Sequence, residues 1–340
     1  MMHFVRFLHL PIWGYTAVLP IFGAISVTET PTWTQLFSLL AVATAFHNYA
    51  YVLNDLIDLP IDRTQSLRKH YPLVCGAISE KIATVFVLLN LVAAYLFTLF
   101  ITNDLVAFAC LTMAFLLMTI YNFWGKQFAV PPSTDFIQGI GWGMLILFGA
   151  TAVSSTVVLL TINIIVFIII YILLVNGVNG ALRDLENDQK HKAKTTPIWF
   201  GVNTLANQKR HLPKMFQMYA MCLQILLALV GLYLITQNQD YHLRNAYLLE
   251  TKILFVVIVV AALAILAFIL RSPHDVGKIF PWLMTSNICM LLMLFILLLP
   301  ITNAFTFGVV LFVFIAPLLL ADWVATFWQD QILLSKQRDT

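Results

Sequence analysis

Charge is scarce in this sequence. Lys, Arg, Asp and Glu make up 10% of its 340 residues and apolar side chains 61%, where a soluble domain has about a quarter charged and half apolar. That excludes an ordinary soluble fold and leaves an integral membrane protein. Cysteine is almost as sparse: Cys75, Cys110, Cys222 and Cys289 lie far apart, mostly inside apolar runs. No pair has metal-ligand spacing, so neither a zinc centre nor a disulfide framework is expected, and the thiols read as small packing groups. The eight histidines form no HxxxH pattern, and no haem is expected. Low-complexity tracts, flexible linkers and clear repeats are also missing. The first apolar segment, about 8–27, has no small-residue cleavage pattern and is too long for a signal-peptide core, so it is expected to remain as a span.

What is present is a succession of apolar runs about twenty residues long, the length that crosses a bilayer. They are expected near 8–27, 35–55, 82–101, 105–122, 135–153, 157–178, 214–235, 252–270 and 280–300, with a tenth at 305–327 that contains Pro317. The fold class is therefore all-α: a polytopic transmembrane helical bundle in one domain over 1–340. With an inward N-terminus, all 19 basic residues except Arg244 and Lys252 fall on the inner side. The positive-inside rule then puts the two longest loops, about 59–81 and 185–213, in the cytoplasm as a cap.

Against this apolar background, six of the 16 acidic residues fall in two short runs, Asn54 to Arg63 and Arg183 to Asp188. Each run lies at the end of an apolar segment, on the same membrane side. Grouped carboxylates repel one another and are costly beside lipid, so folding alone gives little reason for them. Facing carboxylate clusters suit Mg2+, and Mg2+ suits a diphosphate. Asp55, Asp58 and Asp62 are spaced i, i+3, i+7 and share a helix face with Asn54 beside them; Pro60 leaves open whether a turn aims the last carboxylate. Asp184 and Asp188, spaced i, i+4, also share a face. Glu186 lies roughly opposite. Asn176, Asn179 and Arg183 continue the aspartate stripe upstream.

Cations complete a diphosphate site. Arg63 and Arg68 follow the first cluster and Lys190, Lys192 and Lys194 the second, while Lys126 closes a short aromatic stretch, Tyr121 to Gly125. Arg next to carboxylates either balances charge or grips a phosphate with two nitrogens, and surface lysines also contact anionic headgroups. Above the first cluster, His47, Asn48 and Tyr51 form a polar stripe. They either orient a second substrate or make interhelical hydrogen bonds.

At these residues the chain resembles the UbiA superfamily of intramembrane prenyltransferases. Its NDxxDxxxD motif matches Asn54, Asp55, Asp58 and Asp62, and its DxxxD motif matches Asp184 and Asp188. The stretches Pro72-Leu73, Gly76, Ile78-Ser79, Lys194 to Pro197, Phe200-Gly201 and Tyr121 to Lys126 are also similar to the family. Tyr71 stands where an Arg commonly precedes the Pro, and Lys192 where a Gly is common. The resemblance implies a bundle around a central cavity open to lipid. In it the five aspartates would hold Mg2+, and a prenyl diphosphate donor would lie among Asn54, Arg63, Arg68, Tyr121, Lys126, Asn176, Asn179, Arg183 and Lys194. On the polar stripe above the first motif, His47, Asn48 or Tyr51 would orient the small, aromatic acceptor or take its proton. Ionisation would leave an allylic cation in a dry cavity whose aromatic walls stabilise it.

The leading expectation is thus Mg2+-dependent prenyl transfer. A terpene cyclase would need the same two motifs but no acceptor. A transporter fits poorly, because the ionisable residues gather at one face rather than near the midplane. The bilayer is an expected partner and nucleic acid is not.

Overall fold

The computed structural model describes residues 2–64, 68–204, 209–272 and 276–320. Among these, nine helices are long and apolar enough to cross a membrane. A short α1 (Met2–Phe7) leads into α2 (Leu10–Val27), α3 (Trp33–Asp62), α4 (Glu80–Leu99), α5 (Leu105–Trp124) and α6 (Pro131–Val153). Next, α7 (Leu159–Leu174) continues through a π turn, Val175–Gly180, into α8 (Ala181–Arg183), making one span of Leu159–Arg183. Two short helices come after it, α9 (Leu185–Lys190) and α10 (Thr196–Trp199), with a two-stranded ribbon pairing Asn203 with His211 and Thr204 with Arg210. The remaining helices are α11 (Lys214–Gln237), α12 (Gln239–Arg244), α13 (Leu248–Arg271) and α14 (Val276–Leu298). A shorter apolar helix, α15, covers Ala304–Leu320 of the expected tenth span. Residues 321–327 of that span, and the inner-side Lys336 and Arg338, lie outside the described residues.

The expected spans are recovered with shifted ends, and the largest shift matters most. The run expected at 35–55 is a single 30-residue helix reaching Asp62. Thr32 and Gln35 start it with a reciprocal cap: the Gln35 N–H donates to the Thr32 hydroxyl, and the Thr32 N–H to the Gln35 amide oxygen. Pro60 lies inside the last turn without ending the helix, so the helix itself, rather than a turn, presents Asp55, Asp58 and Asp62.

Helix α6 lies at the centre, packed against α2, α5 and α7, while α3 packs against α2, α4 and α5. The second half of the bundle joins through α7 and α11, which in turn packs on α13 and α14. The α2–α6 crossing is close enough to need glycine on both sides: a methyl on Gly23 would strike the Ile146 carbonyl, and one on Gly149 the Pro20 carbonyl. In a bilayer helices gain little from hiding apolar surface, so such backbone approach and the dispersion it brings hold them together. The outer helices show the converse. Leu88, Leu89, Val92 and Leu96 of α4 and Val256, Val257 and Val260 of α13 are exposed, the surface expected against acyl chains.

Both aspartate clusters end at the same pole, beneath the described parts of two loops, 68–79 and 191–204. Arg210, buried under this cap, donates to the carbonyls of Ile269 and Ser272 and so ties the ribbon to the end of α13. At the other pole Arg244 donates to the carbonyls of Ile25, Ser26 and Ile301, closing the C-terminal end of α2.

Candidate functional site

Each aspartate of the first cluster has its own basic partner. Asp55 lies 2.8 Å from His9 Nε2, Asp58 accepts from Lys126 Nζ at 2.8 Å, and Asp62 accepts from Arg68 Nη1 at 2.7 Å. All three carboxylates are buried. In the second cluster Arg183 grips its neighbour Asp184 through two nitrogens at 2.9 and 2.8 Å. Asp188 is buried and makes no ion pair among the described residues. Burial, with repulsion from Asp184 and Asp58, pushes its carboxyl up to about 6 against the pull of Lys126 and Arg68. Burial works against the Lys126 charge, but Asp58, Asp188 and Asp62 outweigh it and hold the ammonium above its ordinary value. The clusters therefore face each other across a gap bridged by Lys126 and Arg68.

That gap is a cavity of about 220 Å³. From the expected set it is lined by Tyr51, Asn54, Asp58, Arg68, Tyr121, Lys126, Asn176, Arg183, Asp184, Asp188 and Lys194. A second recess of about 350 Å³ shares Asp58, Asn122, Lys126 and Lys194 and opens between α3, α5 and the loop at 191–194. The Lys194 N–H donates to the Lys126 carbonyl at 2.9 Å, which ties that loop to the α5–α6 turn.

Five expected residues do not line this cavity. Asp55 and Asp62 are not part of its lining and are held by His9 and Arg68, and three others are turned elsewhere. Arg63 leaves the stripe at the end of α3 and pairs at 2.9 Å with the equally exposed Glu80. Asn179 is buried against α14, donating to Asn287 and Ser286 at 2.6 and 3.3 Å. His47 is fully buried between Thr16 Oγ1 and the Leu8 carbonyl, at 2.9 and 3.0 Å, which is the interhelical alternative. The split between Asn176 and Asn179 has a backbone cause. They fall in the π turn, whose wider winding breaks the 3.6-residue stripe. Asn176 meets Gln138 of α6 at 2.7 Å, and Asn179 swings towards α14.

Two carboxylate contacts were not foreseen. His9 lies at the break between α1 and α2 with φ 46°, stacks on Tyr51 at 5.1 Å and reaches Asp55. A left-handed non-glycine backbone is costly and is often found where a side chain must be aimed. Asp135, in α6, lines the cavity with Gln138 and Trp142 and accepts the Thr196 hydroxyl. A lone ionisable residue in a span was the available signal.

For a metal, the donor set is hard oxygen, as Mg2+ prefers. Among the described residues no three acidic, His or Cys side chains are gathered as a metal cage, because each carboxylate but Asp188 is drawn to its own basic neighbour. The oxygens of Asp58, Asp184 and Asp188 nevertheless share one cavity with four cations. That fits a divalent ion and a polyanion that exchange those pairings on binding.

A model of the UbiA prenyltransferase family matches residues 16–275. The chain belongs to the UbiA prenyltransferase family. No curated protein matches it significantly in sequence. Among solved structures, a UbiA homologue from Archaeoglobus fulgidus bound to GPP and Mg2+ is similar with a TM-score of 0.64 and 16% identity over 88% of this chain and 99% of that one. A UbiA homologue from Aeropyrum pernix K1 gives 0.60 and 16% over 87% and 98%. A digeranylgeranylglyceryl phosphate synthase gives 0.59 and 20% over 88% and 98%. The all-helical fold of this UbiA member is shared with them.

The departures from the UbiA pattern acquire physical form. Tyr71, in the usual Arg place, lies 5.4 Å beneath the Arg68 guanidinium, so a neighbouring Arg is held over the ring and directed at Asp62. Lys192, in the usual Gly place, has φ 54°, the left-handed conformation that glycine adopts without strain.

Proposed function

We propose that this prenyltransferase moves a prenyl group from a prenyl diphosphate to a small aromatic acceptor, with Mg2+ held by Asp55, Asp58, Asp62, Asp184 and Asp188. The observation that carries this reading is the convergence of aspartates from both motifs with Arg68, Lys126, Arg183 and Lys194 on one cavity. Support comes also from the relative bound to GPP and Mg2+. When bound, the metal supplies charge stabilisation for the leaving diphosphate. Lys126 and Arg68 release Asp58 and Asp62 and turn to the phosphate oxygens, while Asn54 and Tyr121 orient the diphosphate. Tyr51 and Trp142, on the cavity wall, present π faces to the allylic cation, and the cap loops exclude water from it.

The test is incubation of the purified protein with Mg2+ and geranyl, farnesyl or geranylgeranyl diphosphate, with and without aromatic acceptors. Diphosphate release that depends on the acceptor supports the reading. Cyclic hydrocarbons or alcohols formed from the donor alone would replace it with a cyclase.

A further inference from the structure

One carboxylate lining the cavity belongs to neither aspartate motif. Asp135 is 8% exposed and makes no ion pair among the described residues. Its Oδ2 accepts the Thr196 hydroxyl, and its Oδ1 has no hydrogen-bond partner there. A carboxylate kept in a membrane helix without a cation costs folding energy and marks a functional position. The fold makes room for it: a Cβ at Gly177, in the π turn, would lie 2.6 Å from Oδ2.

Nearby polar groups on the same wall are also left open. The Trp142 indole N–H and the Thr195 hydroxyl are buried without partners among the described residues, and both side chains belong to residues lining the cavity. The Gln138–Asn176 amide pair completes the wall. By contrast, three of the four cavity cations, Arg68, Lys126 and Arg183, are already committed to aspartates of the two motifs. A molecule docking against α6 therefore meets hydrogen-bonding groups and one negative charge. In a low-dielectric cavity that charge repels an anionic molecule and attracts a donor of a hydrogen bond.

We infer that Asp135 binds the acceptor and takes its proton, and that the acceptor is a neutral hydroxylated molecule rather than one bearing a carboxylate. This rests on the prenyl-transfer reading above. In the step, the donor C1–O bond breaks and its electron pair leaves with the diphosphate. The acceptor's nucleophilic atom supplies the pair for the new bond to C1, and the one proton it sheds goes to Asp135 Oδ1 and then to water.

The experiment compares hydroquinone with 4-hydroxybenzoate as acceptors for the full-length protein, alongside equilibrium binding of a non-hydrolysable geranyl diphosphate analogue with Mg2+. Wild type is expected to prefer hydroquinone by about tenfold or more in kcat/KM. Asp135→Asn is expected to bind the analogue as wild type does, to lose about a hundredfold in acceptor-dependent turnover, and to lose the preference. Preference of wild type for 4-hydroxybenzoate, or full turnover by Asp135→Asn, overturns the inference. The wild-type preference decides by itself if the variant fails to fold. Failure of wild type to bind the analogue would instead remove the prenyl-transfer reading, so the two failures are distinguishable.

Discussion

Lys126 and Asp58 hold each other at 2.8 Å on the wall shared by both recesses. Removing Lys126 leaves the buried Asp58 uncompensated, and removing either one takes a group from the site. Lys126→Ala is expected to weaken diphosphate analogue binding by about tenfold, the worth of one charge-assisted hydrogen bond, while protein yield changes little. Equal loss of yield and affinity would assign Lys126 to folding. Asp58→Asn, which removes a proposed metal oxygen, is expected to lower turnover at least about a hundredfold; unchanged turnover would withdraw its role. Lys192 makes the opposite prediction. Its left-handed φ of 54° costs an L-residue about 1 kcal/mol, so Lys192→Gly should raise the melting temperature, with the gain limited by glycine's greater freedom when unfolded. A drop would show that the Lys192 side chain supports the cap. The paired clusters were legible in the sequence because charge there is so rare that six grouped carboxylates stand out. His9 was not legible, since a polar residue near a helix start has many uses and only the fold brings it to Asp55.

Between residue and molecule lies the π turn of the sixth span. The spacing of Asn176, Asn179 and Arg183 assumes 3.6 residues per turn; an inserted π turn rotates every residue beyond it, and no periodicity argument on 25 mostly apolar residues detects it. The same turn brings Gly177 against Asp135, a contact between α6 and the π turn that sequence spacing does not reveal. Asp135 itself is one acid inside an apolar helix, and only the fold brings it to the cavity. Gly177→Ala is expected to cost about 1–3 kcal/mol, because the methyl must displace a buried carboxylate or push the two helices apart. In an Asp135→Ala background the cost should shrink, since the atom it strikes is gone. A double-mutant cycle on thermal unfolding in detergent measures this, and simple additivity would mean the clash is relieved elsewhere. The long α3, in contrast, was foreseeable in kind and missed in extent. Pro60 reads as a bend at the helix end, but it occupies the final turn, where losing one backbone hydrogen bond leaves the helix intact to Asp62.

On the scale of the whole molecule, hydropathy made nine spans readable because a membrane allows little besides continuous helices. Which spans touch was not readable, as apolar runs carry no address until small residues such as Gly23 and Gly149 mark the crossing of α2 and α6. Orientation depends on a different argument. The aspartate pole is also the pole of Arg68, Lys126, Lys190, Lys192 and Lys194, while Arg244 closes the opposite end. Basic loops are retained in the cytoplasm, so the cap and the mouth of the cavity are expected there. Cys75 is an exposed thiol in the cap loop at 63–79, whereas Cys222 lies within α11. With Cys110, Cys222 and Cys289 replaced by Ala, a membrane-impermeant maleimide should label Cys75 in inside-out vesicles and spare it in intact cells. Labelling in intact cells would put the cap outside and would require the diphosphate donor to be supplied from that side.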